Sequence, residues 1–121
     1  MVVKLGTGIL TGPNKQIDPN QIEQLVGQVA AQQKDGREVI VVSSAMSGET
    51  NKLIKLSKQI SNNFIPSEYD TIVATGEQVA CSLIAGRLNH KGYLARSWLG
   101  WQIPIFTSGD YSYSRIVNIN K

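Results

Sequence analysis

The chain has 121 residues, of which 41% are hydrophobic and 17% are charged, and its formal net charge is +3. This length can bury the core of one domain, and this composition excludes a disordered chain. Lysine and arginine are scattered, so no basic block indicates a nucleic-acid partner. The sequence shows neither a signal-peptide pattern nor a membrane-spanning apolar run. Cys81 is the single cysteine, which excludes an internal disulfide and favours a reducing, cytoplasmic location.

The first predicted elements are a strand and a glycine-rich turn. Val2 to Leu5 is an apolar run that predicts a buried strand, and Gly6-Thr7-Gly8 predicts a turn that needs backbone freedom. Beyond the carboxyl end of a strand, such a turn can surround phosphate oxygens with N–H groups, while Lys4 supplies a cation. A plain tight turn explains the same residues, and the spacing is not that of a P-loop.

A helix with clear start and stop signals follows. Asp18 is a good N-cap, Pro19 suits the first helical position, and Gly36 is placed to end the helix. The predicted apolar stripe consists of Ile22, Leu25, Val26 and Val29. This pattern predicts an amphipathic helix whose one face packs on the core.

A second strand ends in another turn of small residues. Val39 to Val42 is a β-branched run typical of a central strand covered on both faces. In the turn and helix start that follow, Ser44, Ser47 and Thr50 supply hydroxyls beside the positive N-terminus of a predicted helix. Anion binding and simple capping by Ser47 use the same orphan N–H groups, so both interpretations stay open.

One long helix is predicted from Pro66 to about Asn89, with Gly76 and Glu77 in its interior. A glycine there costs roughly 1 kcal/mol relative to alanine and asks for a packing or binding reason. The Glu77 carboxylate can receive an ammonium group beside Gly76, or it is a solvated side chain next to a packing glycine. Further strands are predicted at residues 93–97, 103–106 and 115–119. Strands alternating with helices indicate an α/β fold with a mostly parallel sheet.

Three separated motifs carry a resemblance to a known family. They are Val-Ser-Ser-Ala-Met-Ser-Gly-Glu-Thr-Asn at 42–51, Ala-Thr-Gly-Glu-Gln-Val at 74–79, and Ala-Arg-Ser at 95–97 with Gly-Trp-Gln at 100–102. In this order they resemble the amino-acid kinase family, and within it the aspartokinases. The opening segment, Lys4 to Thr11, and the helix from Asp18 look more like glutamate 5-kinase.

The resemblance implies a three-layer αβα sandwich with a mostly parallel central sheet. Residues 1–121 would form the N-terminal portion of an amino-acid kinase domain, with the second half and any regulatory domain absent. Little activity is therefore expected of these residues alone.

The implied activity is phosphorylation of the aspartate side-chain carboxylate, with ATP and Mg²⁺, in amino-acid biosynthesis. Glutamate 5-kinase activity and a non-catalytic, self-associating module are the alternatives. The implied partners are the amino-acid substrate and further copies of the chain, without nucleic acid or membrane. No metal ligand of the protein is implied, and a single His and a single Cys give no support to a zinc site.

The site residues follow from the same resemblance. Lys4 is expected to neutralise phosphate charge during catalysis. Phosphate binding falls to Lys4 together with the backbone of Gly6, Thr7 and Gly8, whereas the amino-acid substrate is expected to lie near Ser44, Thr50 and Glu77.

Overall fold

A computed structural model describes residues 1–119. The bounds in chain order are β1 Val2–Leu5, α1 Pro19–Lys34, β2 Ile40–Ser43, α2 Glu49–Ile60, α3 Pro66–Val73, α4 Thr75–His90, a 3₁₀ turn Gly100–Gln102, β3 Ile105–Ser108 and β4 Arg115–Ile119. Helices and strands are mixed along the chain, and β1 pairs with β2 in parallel. The predicted α/β class is therefore confirmed.

The boundaries of α1 follow from its sequence. The Asp18 carboxylate accepts the N–H of Asn20 at 2.9 Å, which caps the helix directly before Pro19. Gly36 lies two residues beyond the helix with a φ of +79°, a conformation that favours glycine. Both predicted boundary signals are confirmed.

The core lies between the first strand and two long helices. Helices α1 and α4 pack against each other, and α4 also contacts β2. The four residues of the predicted α1 stripe are all buried there. The other buried members of this cluster are Leu5, Leu10, Ala80, Ile84 and Leu88. The apolar periodicity of the two helices therefore builds the core that supports the strand ends.

An ion-pair cluster ties the same two helices together at the surface. Arg87 of α4 donates through Nε and Nη2 to Oε2 of Glu23 on α1, at 2.9 and 2.7 Å. Lys91, just after α4, donates to the other oxygen of the same carboxylate. One acidic residue thus holds two cations across the helix pair.

Two predicted elements are wrong in the described residues. Strand β2 is not covered on both faces, because Ile40 and Val42 are 61% and 50% exposed. The long helix predicted from Pro66 is two helices, since the backbone turns at Ala74. The Thr75 hydroxyl donates to the carbonyl of Ile72 at 2.7 Å across this turn. Helix α4 starts directly after this turn and contacts β2 and the loop that follows it.

The strand predicted at residues 93–97 is also absent from the described strands. Asn89 occupies the backbone groups that a neighbouring strand would bind: its Oδ1 accepts the N–H of Ala95 at 3.2 Å, and its Nδ2 donates to the Ala95 carbonyl at 2.8 Å. The other two predicted strands are present as β3 and β4, but they pair antiparallel as a separate hairpin.

Candidate functional site

The register of the parallel pair brings both predicted loops to one place. Leu5, the last residue of β1, is paired with Ser43, the last residue of β2. The glycine-rich turn after β1 and the loop at residues 44–48 after β2 therefore start side by side at the carboxyl edge of the sheet. This edge is where ligands bind in open α/β sheets.

Lys4 and Leu5 lie on opposite faces of β1, as neighbouring residues of a strand do. Leu5 is 3% exposed and enters the core, whereas Lys4 is exposed. The lysine is thus held at the strand end by a buried neighbour while its side chain remains accessible. No ion pair joins Lys4 to another residue within residues 1–119.

The turn after β1 does not need its glycines for backbone conformation. Neither Gly6 nor Gly8 has a positive φ, so that expectation is wrong. A Cβ added at either glycine would meet nothing within 4 Å. Within the described chain, the N–H groups of Thr7 and Gly8 find no acceptor. The turn therefore leaves both space and free donors, which is what an approaching anion requires.

The loop after β2 enters helix α2 without a side-chain cap. Gly48 is the N-cap residue with a φ of +82°, and no side chain bonds the first helical N–H groups. The Glu49 N–H instead donates to the carbonyl of Met46 at 3.0 Å. Capping by Ser47 is therefore wrong. Ser44 and Thr50 are partly buried, one in the loop and one in the first turn of α2.

Gly76 is the point where α4 touches this loop. It is buried, and a Cβ built on it would lie 2.9 Å from the Cβ of Ala45. Real Cβ atoms do not approach so closely, so only glycine permits this packing. Close packing against Ala45 in the loop after β2 therefore explains why a glycine stands at this position of the helix.

Glu77 joins the same contact with a hydrogen bond. Its Oε1 accepts the backbone N–H of Ala45 at 3.2 Å. The sequence predicted either an ammonium-binding carboxylate or a solvated one, and neither interpretation included this bond. The carboxylate fixes the loop that carries Ser44, and a backbone donor of this kind leaves no trace in residue identities. The structure thus brings Glu77 and the Ser44 loop together.

Lys15 is a further cation at this edge that sequence reasoning did not single out. Residues 11–17 form a tight hairpin closed by a bridge between Thr11 and Ile17. Lys15 lies at its tip with a φ of +60°, and its Cδ is 3.7 Å from where a Gly48 Cβ would stand. The turn residues Gly12-Pro13-Asn14 indicate such a hairpin, but its direction depends on tertiary packing.

The part of the chain that the structure describes shows neither a metal-binding cluster nor a membrane-spanning helix. No group of three or more His, Cys, Asp or Glu side chains is arranged there to hold a metal ion. Among the same residues, 1–119, no helix is long and apolar enough to cross a membrane.

The model of the amino acid kinase family matches residues 1–121, and the chain therefore belongs to that family. Its relatives include the aspartate kinase of Pseudomonas putida, 43% identical over 100 residues, which are 83% of this chain and 24% of that protein. The aspartokinase of Bacillus sp. strain MGA3 is also 43% identical, over 82% of this chain and 24% of its own length. The predicted family is thus confirmed.

A solved structure supports the same relationship. The aspartate kinase from Synechocystis is 29% identical in sequence and aligns with a TM-score of 0.66, over 74% of this chain and 14% of that chain. The predicted αβα amino-acid kinase fold agrees with this likeness. The chain spans about a quarter of the length of the curated relatives that it matches.

Proposed function

We propose that this chain forms part of an aspartate kinase, which transfers the γ-phosphoryl group of ATP to the side-chain carboxylate of L-aspartate. One observation carries the proposal: the pairing of Leu5 with Ser43 brings the glycine-rich turn and the serine-rich loop to one edge. The names of the curated relatives support the substrate. An ATP-consuming step of biosynthesis fits a cytoplasmic protein, and self-association stays a prediction.

The chemistry asks for charge neutralisation rather than for a strong base. The acceptor carboxylate is already ionised at neutral pH, so it can attack without losing a proton. Phosphoryl transfer then depends on in-line positioning and on the stabilisation of charge that spreads over the phosphoryl oxygens. Lysine and backbone N–H groups supply such stabilisation.

The residues at the edge divide into two groups under this proposal. Lys4 and the free N–H groups of Thr7 and Gly8 contact the phosphoryl oxygens, in the open space beside Gly6. These groups are fixed to the end of β1, so they need little reorganisation during transfer.

The acceptor amino acid lies against the loop after β2. Ser44 and Thr50 offer hydroxyls, and Glu77 offers a carboxylate whose Oε1 already binds the loop at Ala45. The same carboxylate carries the negative charge that an α-ammonium group needs. Glu77 therefore shapes the substrate loop and attracts the substrate.

ATP and Mg²⁺ fit this arrangement by the chemistry of its donors. Magnesium in phosphoryl-transfer sites is held largely by nucleotide phosphates, with one or two protein carboxylates. When bound, the ion would neutralise charge between the phosphates. The protein contribution described in residues 1–119 is the set of N–H donors and the Lys4 ammonium beside them.

A chimera tests the proposed activity. In it, this chain replaces the matching segment of the Pseudomonas putida aspartate kinase, and the acyl phosphate is trapped with hydroxylamine. The proposal expects hydroxamate from aspartate and at least about tenfold less from glutamate. The Lys4→Gln chimera should lose most of its kcat, whereas Lys34→Gln, an exposed control on α1, should not. A folded chimera without activity would refute the assignment.

Glutamate 5-kinase activity remains the second candidate, because the segment from Lys4 to Thr11 resembles that enzyme. The same hydroxamate assay decides between the two. A chimera that prefers glutamate over aspartate would favour glutamate 5-kinase activity for this chain.

A further inference from the structure

The β3–β4 hairpin lies apart from the core described above. All residues of both strands are exposed, including Phe106 at 50% and Ile116 at 63%. The strands pair closely with each other, and within residues 1–119 neither strand has more than a weak contact with a helix or with the parallel pair. A segment that buries so little apolar surface needs another connection to hold its position.

The hairpin loop is connected to helix α3 by one carboxylate. Asp70 of α3 accepts the backbone N–H of Ser112 through Oδ2 at 2.6 Å. Its Oδ1 accepts the Ser112 hydroxyl at 2.7 Å. Both oxygens of one side chain are thus used by one residue that lies 42 positions further along the chain. Within the described residues, the loop from Gly109 to Ser114 has no other hydrogen-bond partner outside the hairpin.

The conformation of Ser112 depends on the same contact. Its φ is +65°, in the left-handed region that non-glycine residues seldom adopt. The loop supplies two bonds of its own, from Tyr113 N–H and from the Ser114 hydroxyl to the Asp110 carbonyl. These bonds shape the loop but do not attach it to the helices. The Asp70 carboxylate therefore has two effects. It offsets the cost of the strained Ser112 backbone, and it attaches the loop to helix α3.

Asp70 also connects the hairpin loop to the helix that follows α3. It lies on α3 four residues before the turn at Ala74, and α4 begins directly afterwards with Gly76 and Glu77. Fixing the hairpin to α3 therefore fixes it relative to the helix that holds the loop after β2.

We propose that Asp70 and Ser112 form a latch that holds the β3–β4 hairpin on helix α3, and that the hairpin is released as a unit when the latch opens. Released, the hairpin keeps its internal pairing but changes its position relative to α4. The latch is independent of the proposed kinase activity, because it rests on contacts that do not involve the candidate site.

Limited proteolysis of the 121-residue chain tests the latch. Chymotrypsin cleaves after Tyr111 and Tyr113, which are 62% and 86% exposed in the hairpin loop. Cleavage requires the loop to leave its position and adapt to the protease, so its rate follows the open population. Asp70→Ala should raise cleavage in this loop about tenfold, as expected for the loss of bonds to a charged acceptor.

Further variants separate the latch from general destabilisation. Glu68→Ala, an exposed control on the same helix, should leave loop cleavage unchanged within about twofold. Ser112→Gly removes the hydroxyl bond but suits the positive φ, so it should raise cleavage less than Asp70→Ala does. The double variant Asp70→Ala/Ser112→Ala should cleave no faster than Asp70→Ala.

Three results would overturn the proposal. They are unchanged loop cleavage in Asp70→Ala, an equal rise at sites throughout the chain, and faster loop cleavage in the double variant than in Asp70→Ala. Ser112→Gly keeps the test decisive if Asp70→Ala does not fold, because its exposed loop position leaves the core intact. In that variant, cleavage no faster than in the unsubstituted chain would contradict the latch.

Discussion

The two glycines of helix α4 should respond to alanine in opposite directions. Gly86 lies in the helix interior, where alanine gains about 1 kcal/mol of helix propensity, whereas Gly76 is the second residue of the helix, where that gain is smaller. At Gly86 the new methyl group meets nothing within 4 Å, and the gain is kept. Gly86→Ala should therefore raise the free energy of unfolding by about 1 kcal/mol.

At Gly76 the same methyl group meets a fixed neighbour. Its Cβ would lie 2.9 Å from the Cβ of Ala45, with Leu53 Cδ1 at 3.7 Å. The Ala45 methyl is attached directly to the backbone and cannot rotate away, so the loop after β2 must shift. Overpacking of this kind costs about 1–3 kcal/mol. The net change is a loss of about 1 kcal/mol, which leaves the two variants about 2 kcal/mol apart.

Urea unfolding followed by circular dichroism measures the unfolding free energies of the Gly76→Ala and Gly86→Ala variants. Amide hydrogen exchange adds a local check, because displacement of Ala45 should weaken its hydrogen bond to Glu77 and speed exchange of the Ala45 amide. The reasoning is refuted if Gly76→Ala stabilises the chain as much as Gly86→Ala. It is also refuted if the Ala45 amide exchanges at the same rate in both variants.

Three further substitutions probe single contacts. Glu77→Gln keeps an acceptor for the Ala45 N–H, so the unfolding free energy should change by less than about 0.5 kcal/mol, whereas calorimetry should show aspartate binding weakened about tenfold or more. Glu23→Ala removes the exposed ion pairs to α4, among them the one with Arg87, and should cost about 1 kcal/mol at low salt and less in 1 M NaCl. An equal loss of unfolding free energy at both salt concentrations would contradict an ion pair that salt screens. Asp18→Ala removes the α1 cap and should cost about 1 kcal/mol, unlike Asp35→Ala at the other end of α1, as urea midpoints will show.

The helices were predictable where local chemistry decides them. The α1 boundaries follow from the Asp18 cap, from Pro19 and from the left-handed Gly36. Its stripe has the periodicity of a buried helix face, and every predicted stripe residue is in the core. Signals of this kind are contained within one helix and its flanking residues, so a single sequence reveals them.

Tertiary contacts decide the elements that sequence reasoning got wrong. Residues 93–97 have the composition of a strand, but Asn89 binds both backbone groups of Ala95 from a distance of six residues. The helix break at Ala74 has neither glycine nor proline as a signal. Directly after this break Gly76 packs against Ala45, a contact between residues far apart in the sequence.

In the candidate site, too, the local features were predicted and the tertiary contacts were missed. The sequence predicted the two loops at the strand ends, because small residues after apolar runs are a local pattern. It did not predict that Gly6 and Gly8 lie in ordinary backbone conformations. The hydrogen bond from Ala45 to Glu77 was also missed, because a backbone donor has no signature in residue type.

An NMR titration tests the central claim that the two loops form one ligand site. The ¹⁵N-labelled chain is titrated with aspartate in the presence of Mg²⁺ and ATP, and glutamate is used for comparison. The account predicts that the amides of Thr7, Gly8, Ala45 and Ser47 shift together with one dissociation constant, and that aspartate binds more tightly than glutamate. Shifts confined to one loop, or saturable shifts only at residues outside both loops, would contradict a shared site.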